Sequence, residues 1–389
     1  MINQPVYVAL FLIFLIAFIT FVSEYPRTKH LFKFLPSVFW MYFLPMLAST
    51  FGIISMSPDL YTFVTLNFLP ASLFLLLLSS DIPAIIKLGK PALIMMFAGS
   101  FGIVVGTPIV FLLCRHWIGG DFWAGFGALA ASWTGGSANM IAVKEALRTP
   151  DSVFLPMVIV DTIVPYLWMG FLIAFAGFQI AYDRFNRSDR RILDELSKKA
   201  KNDNSASKHK FDLRIIALIF TAAFVVSISA QFLSKMLPEA KDIISSYAWM
   251  IIAASSFGIA ASFTRAKKLE GFGASKVGYF FLYFVLAAIG AKANLLNIGS
   301  TLVLIFAGII LVCFHAVILL IVSRLIRAPM FLVAVASQAN IGGVASTPIV
   351  ASIYQPGLAT VGLLLAILGN IMGTYFGILS GHLCHLVSH

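Results

Sequence analysis

Two short stretches hold the side chains with which this chain could bind a polar solute. The first, Ala131-Ser132-Trp133-Thr134-Gly135-Gly136-Ser137-Ala138-Asn139-Met140, carries hydroxyls on Ser132, Thr134 and Ser137, an amide on Asn139 and a glycine pair. The second offers Ser337, Gln338, Asn340, Gly342, Gly343, Ser346 and Thr347, and Pro348 ends its polar run. Both lie inside otherwise apolar segments, 122–147 and 328–353. Glycine lets backbone approach a ligand closely. A half-helix beginning after the glycines turns its first N–H groups inward, where they favour an anion such as a carboxylate. Small and hydroxyl residues also serve close helix packing in a membrane, but packing explains the glycines well and the amides badly. The expected solute-binding residues are therefore Thr134, Gly135, Gly136, Ser137, Asn139, Gln338, Asn340, Gly342, Gly343 and Thr347.

Asp161, in Val-Ile-Val-Asp-Thr-Ile-Val-Pro, is the acidic residue placed well inside an apolar segment. A carboxylate in lipid is costly and marks an ion pathway or proton relay by default. Thr162 adds a hydroxyl, and the oxygen-rich set suits sodium as readily as a proton. At an offset of 209 residues stands Asn370, polar but uncharged. Asp161, Thr162 and Asn370 are thus the ion-coupling candidates, and a sodium ion held by Asp161, Ser137 and Asn340 is the metal arrangement expected. A lone membrane histidine such as His315 more often links helices than carries protons. Lys144 and Glu145 read as an interfacial ion pair, Lys292 and Asn294 as solvated turn residues, and Cys114, Cys313 and Cys384 as small core residues.

Composition dictates the kind of scaffold that must position these residues. The chain has 389 residues, 60% hydrophobic and 11% charged, against roughly 25% charged in soluble domains. It therefore reads as an integral membrane protein surrounded by the lipid bilayer, with no room for a sizeable soluble domain. The net charge of +11 belongs to loop lysines and arginines that set orientation, so nucleic acid is not an expected partner. The apolar run from Val6 to Val22 lacks a basic leader and a cleavage site and reads as a retained helix. Twelve apolar segments can be drawn. One compositional break, Asp183 to Arg214, with ten Lys/Arg and six Asp/Glu, separates a first membrane repeat (1–182) from a second (215–389). The linker, 183–214, reads as basic, solvated and cytoplasmic.

The halves look duplicated. Phe97-Ala98-Gly99 recurs as Phe306-Ala307-Gly308, Gly89 matches Gly299, and the Ala131-Ser132 and Gly135-Gly136 pairs match Ala336-Ser337 and Gly342-Gly343. The polar stretches cannot face lipid, so each broken segment is either a crossing helix unwound at its middle or a re-entrant hairpin. With re-entrant hairpins and both termini outside, most of the 27 Lys and Arg fall in cytoplasmic loops, which the positive-inside rule favours. Each repeat then crosses five times, and the second is inverted relative to the first. The fold class expected is all-α polytopic, with two inverted-topology repeats of about five spanning helices plus a discontinuous segment each, the arrangement of secondary transporters.

Trp-Thr-Gly-Gly-Ser-Ala-Asn-Met at 133–140 with Ala-Val-Lys-Glu-Ala-Leu at 142–147, Val-Asp-Thr at 160–162 and Ala-Asn-Ile-Gly-Gly at 339–343 resemble the YjcL-like bacterial membrane proteins. That family is grouped with the cation:proton antiporter and anion symporter superfamily. The resemblance implies an elevator-type transporter of the inner membrane, with its solute between two discontinuous segments. Superfamily analogy adds a homodimer. Segments such as 34–56 and 243–263 would form a scaffold, and the broken segments with Asp161 a mobile domain. The reading is a secondary active transporter for an organic anion, amino acid or short peptide, coupled to sodium or protons. The alternatives are a sodium/proton antiporter without organic substrate, or a non-transporting sensor or assembly protein. No phosphate loop, aspartyl pair or serine elbow is present, so no catalytic residue and no enzyme is expected.

Overall fold

A computed structural model describes residues 2–28, 32, 37–55, 58–118, 122–189, 191–193, 195–196, 212–239, 245–292 and 301–388. Lys29, Lys33, Asn294, Gly299 and most of the charged linker, 197–211, lie outside the described residues. Among those described, the regular elements are helices. The first half of the chain holds α1 (Pro5–Glu24), α2 (Ser37–Thr50), α3 (Pro58–Leu78), the short α4 (Ile82–Lys87), α5 (Lys90–Ile118), α6 (Trp123–Gly135), α7 (Ser137–Ala146), α8 (Asp151–Phe175) and α9 (Gln179–Asn186). The second holds α10 (Leu213–Met236), α11 (Ser246–Ser262), α12 (Ala274–Lys292), α13 (Thr301–Ile326), α14 (Met330–Ile341), α15 (Gly343–Tyr354) and α16 (Ala359–Leu386).

Eight of these helices are long and apolar enough to cross a membrane, and nine spans result if α11 and the bent 3-10 turn after it count as one. The chain is an integral membrane protein. The sequence predicts ten crossings, and the difference lies in α2. Its 14 described residues reach only about 21 Å at 1.5 Å per residue, short of a hydrocarbon core of about 30 Å.

The helices gather into two compact units, and neither is a half of the sequence. Unit 1 takes residues 1–79, 148–162 and 208–299; unit 2 takes 80–147, 163–207 and 300–389. Each unit therefore draws helices from both halves.

In unit 1, α3 is the hub, packed by α10, α11 and α12. Pro70 lies inside α3, and a proline removes the bond that would have occupied the carbonyl four residues earlier. That carbonyl, on Leu66, accepts instead from Gln231 Nε2 of α10 at 2.9 Å, while the Ser227 hydroxyl donates to the next carbonyl, Asn67, at 2.9 Å. Away from water such a replacement is required. Phe68, Phe224 and Phe281 meet edge to face or tilted around this point. Lys292 is not simply solvated: its ammonium stands 3.5 Å from Asp151 and 4.2 Å from the centre of the Tyr61 ring.

In unit 2, α16 runs against α6 along a line of small residues. Gly369, Gly373, Gly377 and Gly381 recur every fourth position, as do Gly127, Ala131 and Gly135 on α6. A methyl group on Gly373 would sit 2.6 Å from the Gly135 Cα, and one on Gly369 would sit 2.5 Å from the Thr134 carbonyl oxygen. Four-residue spacing of small side chains places them on one stripe and lets two backbones touch. This stripe sets the distance between α6 and α16, and with it the surroundings of the first break.

The start of the expected linker also belongs to unit 2, and although its described arginines are exposed it is anchored at several positions. Asp183 and Asn186 on α9 are buried, as are Leu193 and Leu196. The residue preceding α14, Pro329, has no side chain able to cap the helix. Asp183 Oδ1 does so instead, accepting from Met330 N at 2.8 Å, where an acid is favoured by the helix dipole. Asn186 Nδ2 donates to the Ala328 carbonyl at 2.9 Å. Composition suggests solvation because ten basic residues mask two buried polar anchors.

Candidate functional site

The first break is a single residue. Gly136 joins α6 to α7 with φ 82° and ψ 173°, a region open essentially to glycine alone. A methyl group there would face Asn370 Oδ1 of α16 at 3.3 Å. One turn into α7, Asn139 is buried and fully engaged. Its Nδ2 donates to the Gly135 carbonyl at 2.5 Å and to the Asn370 carbonyl at 3.1 Å, while Oδ1 accepts from the Thr374 hydroxyl at 2.5 Å. One amide thus closes the C-terminus of α6 and fastens the start of α7 to α16. Ser137 is partly buried at the first position of α7, and the N-cap, Gly136, has no side chain to cap that N-terminus.

The second break falls at Gly342 and Gly343, the latter at φ 63°. A methyl group on Gly342 would run into the Gln338 amide and the Ser346 hydroxyl, so the carboxamide of α14 lies across the start of α15. Gln338 Nε2 donates to Ser346 Oγ at 2.7 Å, and Ser346 Oγ donates to the Gly342 carbonyl at 2.9 Å. The N-cap of α15, Gly342, has no side chain to cap that N-terminus. A methyl group on Gly343 would meet nothing within 4 Å.

Before this break, α14 is tied into its surroundings. Asn340 Nδ2 donates to the Ala336 carbonyl at 2.9 Å and Oδ1 accepts from the Ser100 hydroxyl of α5 at 2.7 Å. His315 of α13 is fully buried. Its Nδ1 lies 2.8 Å from the Gly99 carbonyl of α5, which can only accept, so that nitrogen carries the proton; Nε2 lies 3.0 Å from Ser337 Oγ. Trp168 Nε1 donates to the same hydroxyl at 2.8 Å. Ser337 can accept from Trp168 and donate to His315, which satisfies all three groups with a neutral imidazole. His315 is a helix linker in this geometry.

The structure thus gathers Thr134, Gly135, Gly136, Ser137, Asn139, Gln338, Asn340, Gly342, Gly343, Thr347 and Asn370 into unit 2. Asp161 and Thr162 belong to the part of α8 assigned to unit 1, so the three residues expected to share sodium are divided between units. Several hydroxyls turn back on their own helices: Thr134 donates to Ala130, Thr347 to Gly343 and Thr162 to Val158, at 2.7, 2.5 and 2.8 Å. Lys144 and Glu145 form the expected ion pair, at 2.8 Å with both side chains largely covered by protein. Sequence reasoning passed over Ser100, Trp168 and Thr374. Only the four-residue glycine spacing of α16 signals in sequence that Thr374 lies beside the break.

Residues 11–386 match the model of a family described as "Protein of unknown function (DUF819)". The chain is also 25% identical over 349 residues to "Uncharacterized membrane protein YjcL" of Bacillus subtilis (strain 168), covering 85% of this chain and 86% of the relative.

Proposed function

The chain belongs to the DUF819 family, and from that premise we propose that it is a secondary active transporter that moves a small organic anion, amino acid or short peptide, coupled to sodium or protons. One observation carries the reading. Two helices of a single compact unit are interrupted at glycine, each resumes with an uncapped N-terminus, and buried amides and hydroxyls surround both interruptions. A fold under stability selection alone has little use for two such interruptions, since each leaves backbone groups to be satisfied in an apolar setting. Transporters use them to coordinate solutes and ions near the bilayer midplane.

The division into units supports an elevator. Both breaks belong to unit 2, which would travel, while α2 and α11 belong to unit 1, which would be the scaffold. Two inverted repeats, re-entrant hairpins, outside termini, a cytoplasmic linker, an inner-membrane location and a homodimer complete the proposal. Asp161 would couple ion to solute through its carboxylate, with Thr162 beside it on α8; Asn370 is the neutral residue at the first break. No catalytic step is assigned to any residue. A sodium/proton antiporter is the second reading, which Asp161 favours, although it leaves the paired amide-rich breaks without a use.

The test is uptake into proteoliposomes under an imposed sodium or proton gradient, with radiolabelled amino acids, dicarboxylates and dipeptides. Gradient-driven uptake lost in Asp161→Asn supports symport. Sodium/proton exchange without uptake of any solute would transfer the assignment to the antiporter. Neither activity, from protein that is folded and inserted, would leave a sensor or assembly role.

A further inference from the structure

Two side-chain atoms beside the breaks are buried without a hydrogen-bond partner among the described residues: Trp133 Nε1 and Gln338 Oε1. Both residues are fully buried. Trp133 lies three residues before Gly136 and Gln338 four before Gly342, and each comes directly after an Ala-Ser pair, Ala131-Ser132 and Ala336-Ser337. They occupy the same position in the two matching motifs. One is a pure donor and the other a pure acceptor.

The hydrogen bonds around Gln338 turn its amide nitrogen toward Ser346. Ser346 Oγ donates to the Gly342 carbonyl and accepts from Gln338 Nε2. The atom left free is the oxygen, on a carboxamide that lies against Gly342 at the start of α15. Leaving a buried donor or acceptor unpaired is costly, and a protein retains such groups where something else meets them. Ser380 and His382 of α16 and Trp40, Thr149 and Ser255 of unit 1 also lack a hydrogen-bond partner among the described residues, but none of them belongs to the matching motifs at the breaks.

We propose that Trp133 Nε1 and Gln338 Oε1 contact the carried solute directly, and that the solute is a small zwitterion, an amino acid or short peptide. The inference rests on the transporter reading and narrows its substrate class. The carboxylate takes the Trp133 N–H and the free N–H groups that open α7 and α15; the ammonium donates to Gln338 Oε1. A dicarboxylate would leave the glutamine oxygen unpaired against a second anion. An inorganic cation would leave the indole N–H unused.

Trp133→Phe and Gln338→Met keep bulk and remove the two orphan atoms. Thermal unfolding of the purified full chain is measured alone and with each common L-amino acid, its N-acetyl derivative, its amide, glycyl dipeptides, and succinate. The expected result has two parts. Without solute, Trp133→Phe melts at the wild-type temperature or above it, since an unpaired buried donor has been replaced by an apolar ring, and Gln338→Met, which loses its orphan oxygen but also the Nε2 bond to Ser346, melts no more than slightly below it. With solute, an amino acid or dipeptide stabilises wild type more than its N-acetyl or amide form does, and the apparent affinity falls on the order of ten-fold or more in each variant. Variants that melt well below wild type without solute would show structural roles and overturn the assignment, as would a solute response that survives both substitutions. Stabilisation by succinate but by no amino acid or dipeptide would overturn the substrate class while leaving the transporter reading intact. No response to any of these solutes, together with gradient-driven uptake of another compound, would do the same.

Discussion

The two breaks solve one problem in opposite ways. At the first, one glycine in a conformation closed to other residues makes the interruption, and a single amide, Asn139, fastens the start of α7 to α16. At the second, the half-helix before the break is fastened, through Ser337 and Asn340, while the break itself is wrapped by its own side chains, Gln338 and Ser346. The first break is thus anchored downstream and the second upstream. A pair of breaks held this way keeps α7 and α14 fixed within unit 2. It leaves α15, whose opening glycine has open space beside it, as the half-helix with the fewest tethers at its start.

That contrast is broken most severely at Gly135. In Gly135→Ala the new methyl would sit 2.6 Å from the Gly373 Cα and 2.7 Å from the Gly369 carbonyl oxygen, and backbone cannot yield as a side chain can. The expected outcome is loss of the folded protein from size-exclusion profiles, a cost above about 3 kcal/mol. At the second break, Gly343→Ala meets no atom and suffers only the left-handed conformation, about 1–2 kcal/mol. It should fold with a modestly lower melting temperature. If the two alanines proved equally harmful, close backbone packing of α6 on α16 would not be what defines the first break.

Asn139→Ala ranks next. It strands the Thr374 hydroxyl and two carbonyls, and with each net bond worth roughly 1 kcal/mol the loss is about 3 kcal/mol. Melting in detergent reads it directly. A Thr374→Val, Asn139→Ala double-mutant cycle should show coupling on the order of 1 kcal/mol. Additivity would mean that the hydroxyl does not serve the amide.

The sequence made the breaks legible because glycine pairs beside amides are rare inside apolar segments, and the long spans were legible from their length. Partners were not legible. Asn139, Asn340 and Gln231 bond mostly to backbone carbonyls, which every residue carries, so nothing in composition marks which helix receives them. Pro70 is an exception in principle, because a proline in a span announces a freed carbonyl, though not that Gln231 would reach it. The anchors at the start of the linker were hidden for another reason. The linker's charge density conceals Asp183, whose role is visible only once Met330 is seen to start a helix behind an uncapped proline. Asp183→Ala should therefore cost about 1–2 kcal/mol, and Asp183→Asn should recover most of it by retaining the acceptor. No recovery would mean that charge, rather than the hydrogen bond, does the capping.

The smallest effect belongs to the second break and separates local wrapping from tethering. Ser346→Ala takes one hydroxyl from a loop whose bonds are all internal, leaving Gln338 Nε2 and the Gly342 carbonyl without it. About 1 kcal/mol should be lost. Removing the amide as well, in Ser346→Ala combined with Gln338→Met, takes away the stranded donor together with its orphaned oxygen. Deleting both partners of a buried bond is close to neutral where deleting one is not. The double variant should therefore melt above Ser346→Ala alone. At the first break the corresponding pair behaves differently, because Asn139 bonds two further carbonyls, and Asn139→Ala added to Thr374→Val must lower the melting temperature again. A double variant at Ser346 and Gln338 that also melted lower would show that Gln338 holds α15 to something beyond its own loop, and the contrast between the breaks would fail there.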